Sequence, residues 1–594
     1  MKAKKLVLLT AFTALGSLCI AQTLTHVHDW SLGRGDDGYE SGEDIVVSSD
    51  EYNYTTGVFE QTVDFHPFTS ASGSVISNGG RDVYICKRNK DGNFGWVKSF
   101  GGTSTEDVVA IDIDSESNIY VTGRFYGTVD FDPSPTSSFT MTQTGGALNA
   151  DVYICKFDEN GSFIWAKQLE GTGLMESTDI VVDGRNDVHV TGYFHNQVDV
   201  NPAPSIFGMQ LLTSSGSGDK DGFSVTLDQN GIYKKSYHLK GANSDVSIEA
   251  LFVDAVYNQL FTGDFSGTCD FDQTSAVYNM SSTGTGTDAF IMRVNPFNGF
   301  EWSKQLECSK GANAKAIEMD SNGDVYSVGT FKGTIDLDPH SGVDNHVKSP
   351  LKTHTYISKL APNGHYWYGK TISGSYPLFT MGNVYATGLS VTSAGNVYIT
   401  GYFDKKVDFN PGTGAYNVTA VGNNDAFICG LNPSGNFWSI NRIESHYSNG
   451  YVRNNAIDMS ANEDIYTTGR LTRTGDFNPS GYPYYVISLG GFDMFTHKLE
   501  RYTLFPNPFF KSNSETENAE IEVFPNPTSN FINLRLKGDK DAKVSLVSMT
   551  GQVVYSSVHT IGLSTISLEH LSSGTYMLLV TQEEKTTRMK IVKQ

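Results

Sequence analysis

The chain is poor in the features that usually mark nucleic-acid contact, metal clusters or membrane spans. It has 43 Lys and Arg against 65 Asp and Glu in 594 residues, a formal charge of −22. Phosphate binding needs clustered cations, so this balance argues against a nucleic-acid partner. It fits cations or simple solubility. Six cysteines form no CxxC pair and no Cys/His cluster with zinc-ligand spacing. There is no HExxH, GxSxG or GxxxxGK[ST] motif, so three common catalytic or phosphate-binding devices are missing. The one long apolar run, Leu6 to Ile20, falls short of the ~20 residues a spanning helix needs, and no transmembrane segment is expected. Preceded by Lys2, Lys4 and Lys5 and followed by Ala21, it reads as a secretory signal peptide over residues 1–21. Leu18 stands where a lipid anchor at Cys19 would need a small residue.

What is present is a repeat. VDFHP (63–67), VDFDP (129–133), VDVNP (198–202), CDFDQ (269–273), IDLDP (335–339), VDFNP (407–411) and GDFNP (475–479) recur at intervals of 66, 69, 71, 66, 72 and 68 residues. Each unit reads as four strands. In the second unit these are VVAIDI (108–113), IYVTGRF (119–125), DVYICKF (151–157) and SFIWAKQL (162–169), the last two joined through an Asn-Gly turn whose positive φ favours glycine. Alternation in TVDF and SFTMT adds a small hairpin between the second and third strands. Trp96, Trp165, Trp302, Trp367 and Trp438 all fall in fourth strands, with Tyr237 in that place in the third unit. The seventh unit lacks a fourth strand, while HVHDWSLG (26–33) is a fourth strand without a unit. Residues 22–500 are therefore expected to form an all-β, seven-bladed β-propeller whose N-terminal strand completes the last blade. The VDF segments are expected to ring one face around its axis.

The stretch GNVYITGYFDKKVDFNPGTGAYNVTAVGNNDAFICGLNPSGNFW (395–438) resembles the bacterial SBBP-type β-propeller repeat, over roughly residues 22–500. That resemblance implies an exported propeller and names no ligand.

After a polar linker at 501–518 the pattern changes. Residues 519–594 carry eight Lys and Arg against seven Asp and Glu, so the acidity belongs to the repeats. Short alternating strands with glycine turns suggest a small Ig-like β-sandwich of about seven strands. FPNPTSNFINL (524–534), Thr550-Gly551, the run Leu571 to Tyr576 and a terminal Lys-rich strand are similar to the type A C-terminal sorting domain of the type IX secretion system. The resemblance implies translocation by that machinery, followed by release or surface attachment. Phe505-Pro506-Asn507-Pro508 duplicates Phe524-Pro525-Asn526-Pro527.

The candidate site residues are the hairpin aspartates: Asp64, Asp130, Asp199, Asp270, Asp336, Asp408 and Asp476 at the first position, with Asp132, Asp272 and Asp338 at the second, where other copies have Asn or His. Two readings stand. One is calcium, which takes six to eight oxygens; the other is a turn in which Asp or Asn accepts backbone hydrogen bonds. Catalysis would need asymmetry that seven equivalent carboxylates lack. Cys86, Cys155 and Cys429 share one third-strand position in different units and read as packing; Cys269 and Cys308 share one unit, which leaves a disulfide open. His26, His28 and His195, and the tripeptide Arg34-Gly35-Asp36, read more simply as strand or turn residues. The expected work is binding of an extracellular glycan, surface protein or polymer. A secreted polysaccharide hydrolase or lyase, or a structural surface-layer component, are the alternatives.

Overall fold

The computed structural model describes residues 24–503, apart from 35–37, 67–72, 147–148, 204–207, 217, 242, 275, 376–379 and 480–482, and residues 521–593, apart from 525–530, 537–541, 549–552, 561, 569–570, 572–573 and 583–584. The expected signal peptide, most of the linker with its Phe-Pro-Asn-Pro repeat, and Gly35 and Asp36 lie outside the described residues. The chain divides into two compact units, 1–504 and 505–594. Every regular element among the described residues is a β-strand.

In the first unit the alternating segments pair as four-stranded antiparallel meanders. Asp107–Ile113, Ile119–Phe125, Asp151–Phe157 and Phe163–Gly171 lie in that order, and the pattern recurs seven times. The last meander is Val452–Met459, Ile465–Leu471 and Asp493–Thr503, completed by Leu24–Arg34, which pairs antiparallel with Asp493–Thr503 from Leu24 opposite Thr503 to Arg34 opposite Met494. First strands of successive sheets touch, and the first strand of the last sheet touches that of the first. Buried aromatic and branched residues fill the space between neighbouring sheets: Tyr54, Ile85 and Phe100 of one meander share a core with Val108, Val121 and Tyr153 of the next.

One glycine position is dictated by close approach. The first strand of every sheet carries a bulge, as between Val108 and Ala110. There the second strand has glycine, Gly57, Gly123, Gly192, Gly263, Gly329, Gly401 or Gly469, at which a Cβ would lie 1.9–2.2 Å from a first-strand carbonyl oxygen. A bulge redirects its extra residue.

The turn between third and fourth strands differs from the Asn-Gly expectation. Of Asn160 and Gly161 only Gly161 has positive φ, at 73°. Gly161 N–H donates to the Asp158 carbonyl, and Asp158 Oδ1 accepts from Asn160 and Ser162 N–H. The loop is a side-chain-braced turn closed by one left-handed glycine, with a bulge after Lys156.

Trp96, Trp165, Trp302, Trp367, Trp438 and Tyr237 all lie in fourth strands as expected, but not all at one register position. Trp96, Trp165, Trp302 and Trp30 sit opposite the third-strand cations Lys87, Lys156, Arg293 and Lys498. In the third sheet that place belongs to Lys235, opposite Thr226, and Tyr237 lies two residues on. Trp367 and Trp438 each fall one residue before it, since Tyr368 and Ser439 occupy the register position. The cysteine alignment holds in register, with Cys86, Cys155 and Cys429 buried in equivalent places. Cys269 and Cys308 are both free thiols.

The second unit has two antiparallel sheets. Ile521–Phe524, Phe531–Leu536 and Gly562–Ser567 form one; Val553–His559, Ala542–Ser548, Gly574–Gln582 and Lys585–Lys593, in that order, form the other. Ile532, Leu534 and Ile566 of the first share a buried core with Val544, Leu546, Leu578 and Ile591 of the second.

Candidate functional site

The VDF segments form the expected small hairpins. Thr128–Asp130 pairs with Thr140–Thr142, and equivalent three-residue strands recur in every unit. Their position differs from the expectation. Val129 and Asp130 pair with Gly102 and Gly101, at the end of the fourth strand of the preceding sheet, and the hairpins at Asp199, Asp408 and Asp476 do the same. These four hairpins therefore extend the outermost strands, across the sheet from the inner strands that meet one another.

The first aspartate does the same work in six of the seven copies. Asp130 Oδ1 accepts from the N–H of Asp132 at 3.1 Å and of Phe139 at 2.8 Å, closing both the turn and the hairpin. Asp199, Asp270, Asp336, Asp408 and Asp476 each accept two N–H groups in this way, the second from Gln210, Tyr278, Asp344, Tyr416 and Tyr484. Asp64 accepts from His66 at 2.8 Å. At the second position Asp132, Asp272 and Asp338 accept from Ser134, Thr274 and His340 N–H, and Asn201 and Asn410 accept likewise from Ala203 and Gly412. Asp and Asn are interchangeable there because both supply a carbonyl-type acceptor. The aspartates lie on seven different hairpins, and among the described residues no group of three or more His, Cys, Asp or Glu is placed to hold a metal ion.

A second set of carboxylates, not singled out in the sequence, lines a cavity of about 410 Å³ among the inner strands. The bulged residues line it: Glu43, Val109, Thr178, Glu249, Lys315, Thr387 and Asn455. So do Asp44, Asp112, Asp179, Glu318 and Asp458. An innermost strand has an unpaired edge whose N–H groups need acceptors. Asp44 supplies one: Oδ1 accepts its neighbour Ile45 N–H at 2.8 Å, and Oδ2 accepts Ile111 N–H of the next sheet at 2.9 Å. Asp112 reaches Val182 at 2.7 Å, Asp179 reaches Leu251 at 2.8 Å, and Asp458 reaches Val47 at 2.7 Å, from the last sheet to the first. The bulged residues add Thr178 to the Ile248 carbonyl, Thr387 to the Asn454 carbonyl, Asn455 to the Gly42 carbonyl, and a Lys315–Glu249 ion pair at 3.2 Å.

Withdrawal from bulk water raises these acids. It lifts Asp112 and Asp179 to about 7 and Asp458 to about 6, against the lowering effect of the N–H groups they accept. Glu318 rises to about 8 through burial and the charges of Asp458 and Asp179, and Asp44 is also raised by burial.

Three further features were missed or only half read. Six of the seven third strands begin with a buried aspartate that anchors the preceding loop; Asp288 accepts Thr283 N–H at 2.7 Å and Cys308 N–H at 2.7 Å. His354 stands there in the fifth sheet and makes its bond to the Ser349 carbonyl through Nε2 at 3.2 Å. The tryptophan ring N–H of Trp96, Trp165 and Trp302 donates to a turn carbonyl of the following sheet, at Glu159, Gln229 and Pro362, and Lys235 Nζ donates to Pro296 in the same manner. His28 Nε2 contacts Ser31 Oγ, which also meets His497 Nδ1, so His28 belongs to the strand that completes the last sheet. His195 packs edge-on to Tyr193, and the His26 side chain lies outside the described residues.

The strands described in the second unit share a core of their own, and its sequence decides its kind. Residues 522–594 match the secretion system C-terminal sorting domain. The sorting domain means export by the type IX system, so the protein is secreted or held at the cell surface and meets that machinery on the way out. No helix among the described residues is long and apolar enough to cross a membrane. Over 473 residues the chain is 21% identical to an uncharacterized WD repeat-containing protein of Acanthamoeba polyphaga mimivirus, covering 69% of this chain and 32% of that protein. The chain thus spans about a third of that relative's length. Two solved structures are similar at a distance. One is a fungal alcohol oxidase of the AA5 family in complex with copper, with TM-score 0.34 and 9% identity over 96% of this chain and all of that one. The other is a protein of unknown function from Bacteroides caccae, with TM-score 0.20 and 10% identity over 50% of this chain and 92% of that one. Likenesses this distant carry no argument about chemistry.

Proposed function

We propose that residues 22–500 form a seven-bladed β-propeller of the SBBP type, delivered outside the cell by an Ig-like sorting domain at 519–594, and that its work is to bind an extracellular ligand. The observation that carries the reading is the hairpin set: one on every unit, six of them held by an aspartate to the same two N–H groups, and four of them laddered onto the outer edge of a neighbouring sheet. A rigid scaffold that repeats a projecting loop presents many like contacts to one large partner. Seven four-stranded sheets with first and last in contact, together with the WD repeat-containing relative, support the propeller reading.

The four cavity aspartates favour binding over hydrolysis. A glycosidase needs one carboxylic acid free to protonate and a second free to attack or to activate water. Asp44, Asp112, Asp179 and Asp458 instead give both oxygens to backbone N–H groups of two sheets. The test is a glycan array and a polysaccharide-degradation screen on the full exported chain, with and without chelator. Saturable binding without product release is expected. Release of reducing ends at catalytic rates would overturn the reading, and binding that disappears with chelator would assign calcium to the hairpin aspartates.

A further inference from the structure

We infer that the hairpins of the second, fourth, sixth and seventh units present aromatic platforms for the pyranose rings of a neutral polysaccharide. The inference rests on the binding reading above and names its ligand class.

In these four units the residue that donates the second N–H to the hairpin aspartate is aromatic: Phe139, Tyr278, Tyr416 and Tyr484. Each ring leans on the ring beside the bulge of the fourth strand of its own unit, Phe163, Phe300, Phe437 or His28, which face Phe157, Val294, Leu431 and Leu499 in register. The centroid distances are 5.1 Å to Phe163, 4.8 Å to Phe300, 4.9 Å to Phe437 and 4.7 Å to His28, and the tilts are 37°, 39°, 36° and 37°. The same inclined pair is thus built four times. Each of these outer residues is nevertheless 40–48% exposed.

The hairpin turn itself does not require an aromatic side chain at this position, although the Tyr278 and Tyr484 hydroxyls donate to the Ser303 and Ser31 carbonyls at 3.3 and 3.1 Å. Gln210 and Asp344 occupy it in the third and fifth units and donate the same N–H to Asp199 and Asp336 at 2.9 and 2.8 Å. Single exposed apolar residues need no explanation, but a recurrent exposed ring in a fixed pose does.

The surroundings select the ligand. The short strand after the ring exposes uncharged hydroxyl and amide groups at alternate positions: Thr140 and Thr142, Asn279 and Ser281, Asn417 and Thr419. Such groups both donate and accept, which suits sugar hydroxyls. The C–H face of a pyranose matches an aromatic face, and a chain charge of −22 disfavours a polyanion. Beside Tyr416 these elements enclose a groove of about 270 Å³ with Asn417, Thr419, Ile440, Arg442 and Pro479. Four spaced platforms fit a polymer of repeating units, to which weak single contacts add by avidity.

The test is affinity electrophoresis of the full exported chain in gels containing laminarin, xylan, galactomannan or soluble starch, with alginate as the acidic comparison. At least one neutral polymer should retard the wild type more than alginate does. Changing Phe139, Tyr278, Tyr416 and Tyr484 together to Gln, the residue the third unit already accepts, should weaken retardation on the order of 10-fold or more, with the melting temperature held. If the fourfold variant fails to fold, the single changes Phe139→Gln and Tyr416→Gln are read instead, each expected to weaken retardation severalfold. Retardation unchanged by these substitutions, retardation by alginate alone, or no retardation by any neutral polymer would overturn the inference. A wild type that no neutral polymer holds, but that binds a purified surface protein saturably, overturns the saccharide assignment and leaves the wider binding reading in place.

Discussion

Asp458 in the last sheet accepts the backbone N–H of Val47 in the first at 2.7 Å. The bond joins the two ends of the repeat array through inner strands 411 residues apart in sequence. Beside it Asn455 Nδ2 donates to the Gly42 carbonyl at 2.8 Å, and farther out Lys498 Nζ reaches the Lys90 carbonyl at 3.2 Å. Closure is therefore made at several depths.

Removing the acceptor should expose that closure. Asp458→Ala leaves the Val47 N–H without its partner, a cost of about 1–3 kcal/mol, while Asp458→Asn retains an acceptor and should cost less. Hydrogen exchange resolved by mass spectrometry should show faster exchange for peptides covering Val47 in the alanine variant. Unchanged protection there would mean that the bond contributes nothing to closure.

The same carboxylates set a pH dependence. Burial raises Asp112 and Asp179 to about 7, Asp458 to about 6 and Glu318 to about 8, all above the unfolded carboxylate range near 4. The folded state then holds more protons than the unfolded chain between about pH 4 and 8, so these groups' contribution is full at low pH and is lost as pH rises through their folded values. Melting temperature should fall from pH 5 to pH 8.5. The double variant Asp112→Asn, Asp179→Asn should flatten the slope; an equally steep slope would place its origin elsewhere.

Much of this was legible in the chain, for physical reasons that differ by element. Runs rich in β-branched and aromatic residues, bounded by turn residues, located strands such as Ile119–Phe125 and Asp151–Phe157 to the residue. The orphan strand at Trp30 could be assigned because its register position repeats that of Trp96 and Trp165. The hairpins could be found but not placed: that Asp130 lies beside Gly101 is a pairing between neighbouring units, which local periodicity does not encode. The cavity acids were hidden because they alternate between two positions. Asp44 and Asp179 lie opposite a second-strand Thr; Asp112, Glu318 and Asp458 lie two residues on, opposite a Tyr. No single column of the repeat shows them together. The buried aspartates that open the third strands were in plain view, and their regular recurrence before an apolar run was the available signal.

Passage from the periplasm to the cell surface rests on the C-terminal module. Deleting residues 522–594, the segment matching the sorting domain, should leave the chain in the periplasm and reduce the extracellular and surface-bound pool nearly to zero. Cell fractionation with immunodetection of residues 24–503 reads this directly. Surface display undiminished by the deletion would require a second export signal.

The hairpin aspartates decide between a turn and a cation, and Asp270 separates the two. Its Oδ1 accepts Asp272 N–H at 3.0 Å and Tyr278 N–H at 2.9 Å, bonds that an Asn side-chain carbonyl can also accept. A calcium ligand would instead lose affinity with its charge. Asp270→Asn should therefore keep the melting temperature within about 1 °C, and Asp270→Ala should destabilise the fold by about 1–2 kcal/mol. Because Asn already fills the second position in Asn201 and Asn410 while braced by the same kind of bond, neither chelator nor added calcium should shift the transition. A transition lowered by chelator and restored by calcium, with Asp270→Asn behaving like the chelated protein, would make the aspartate a metal ligand.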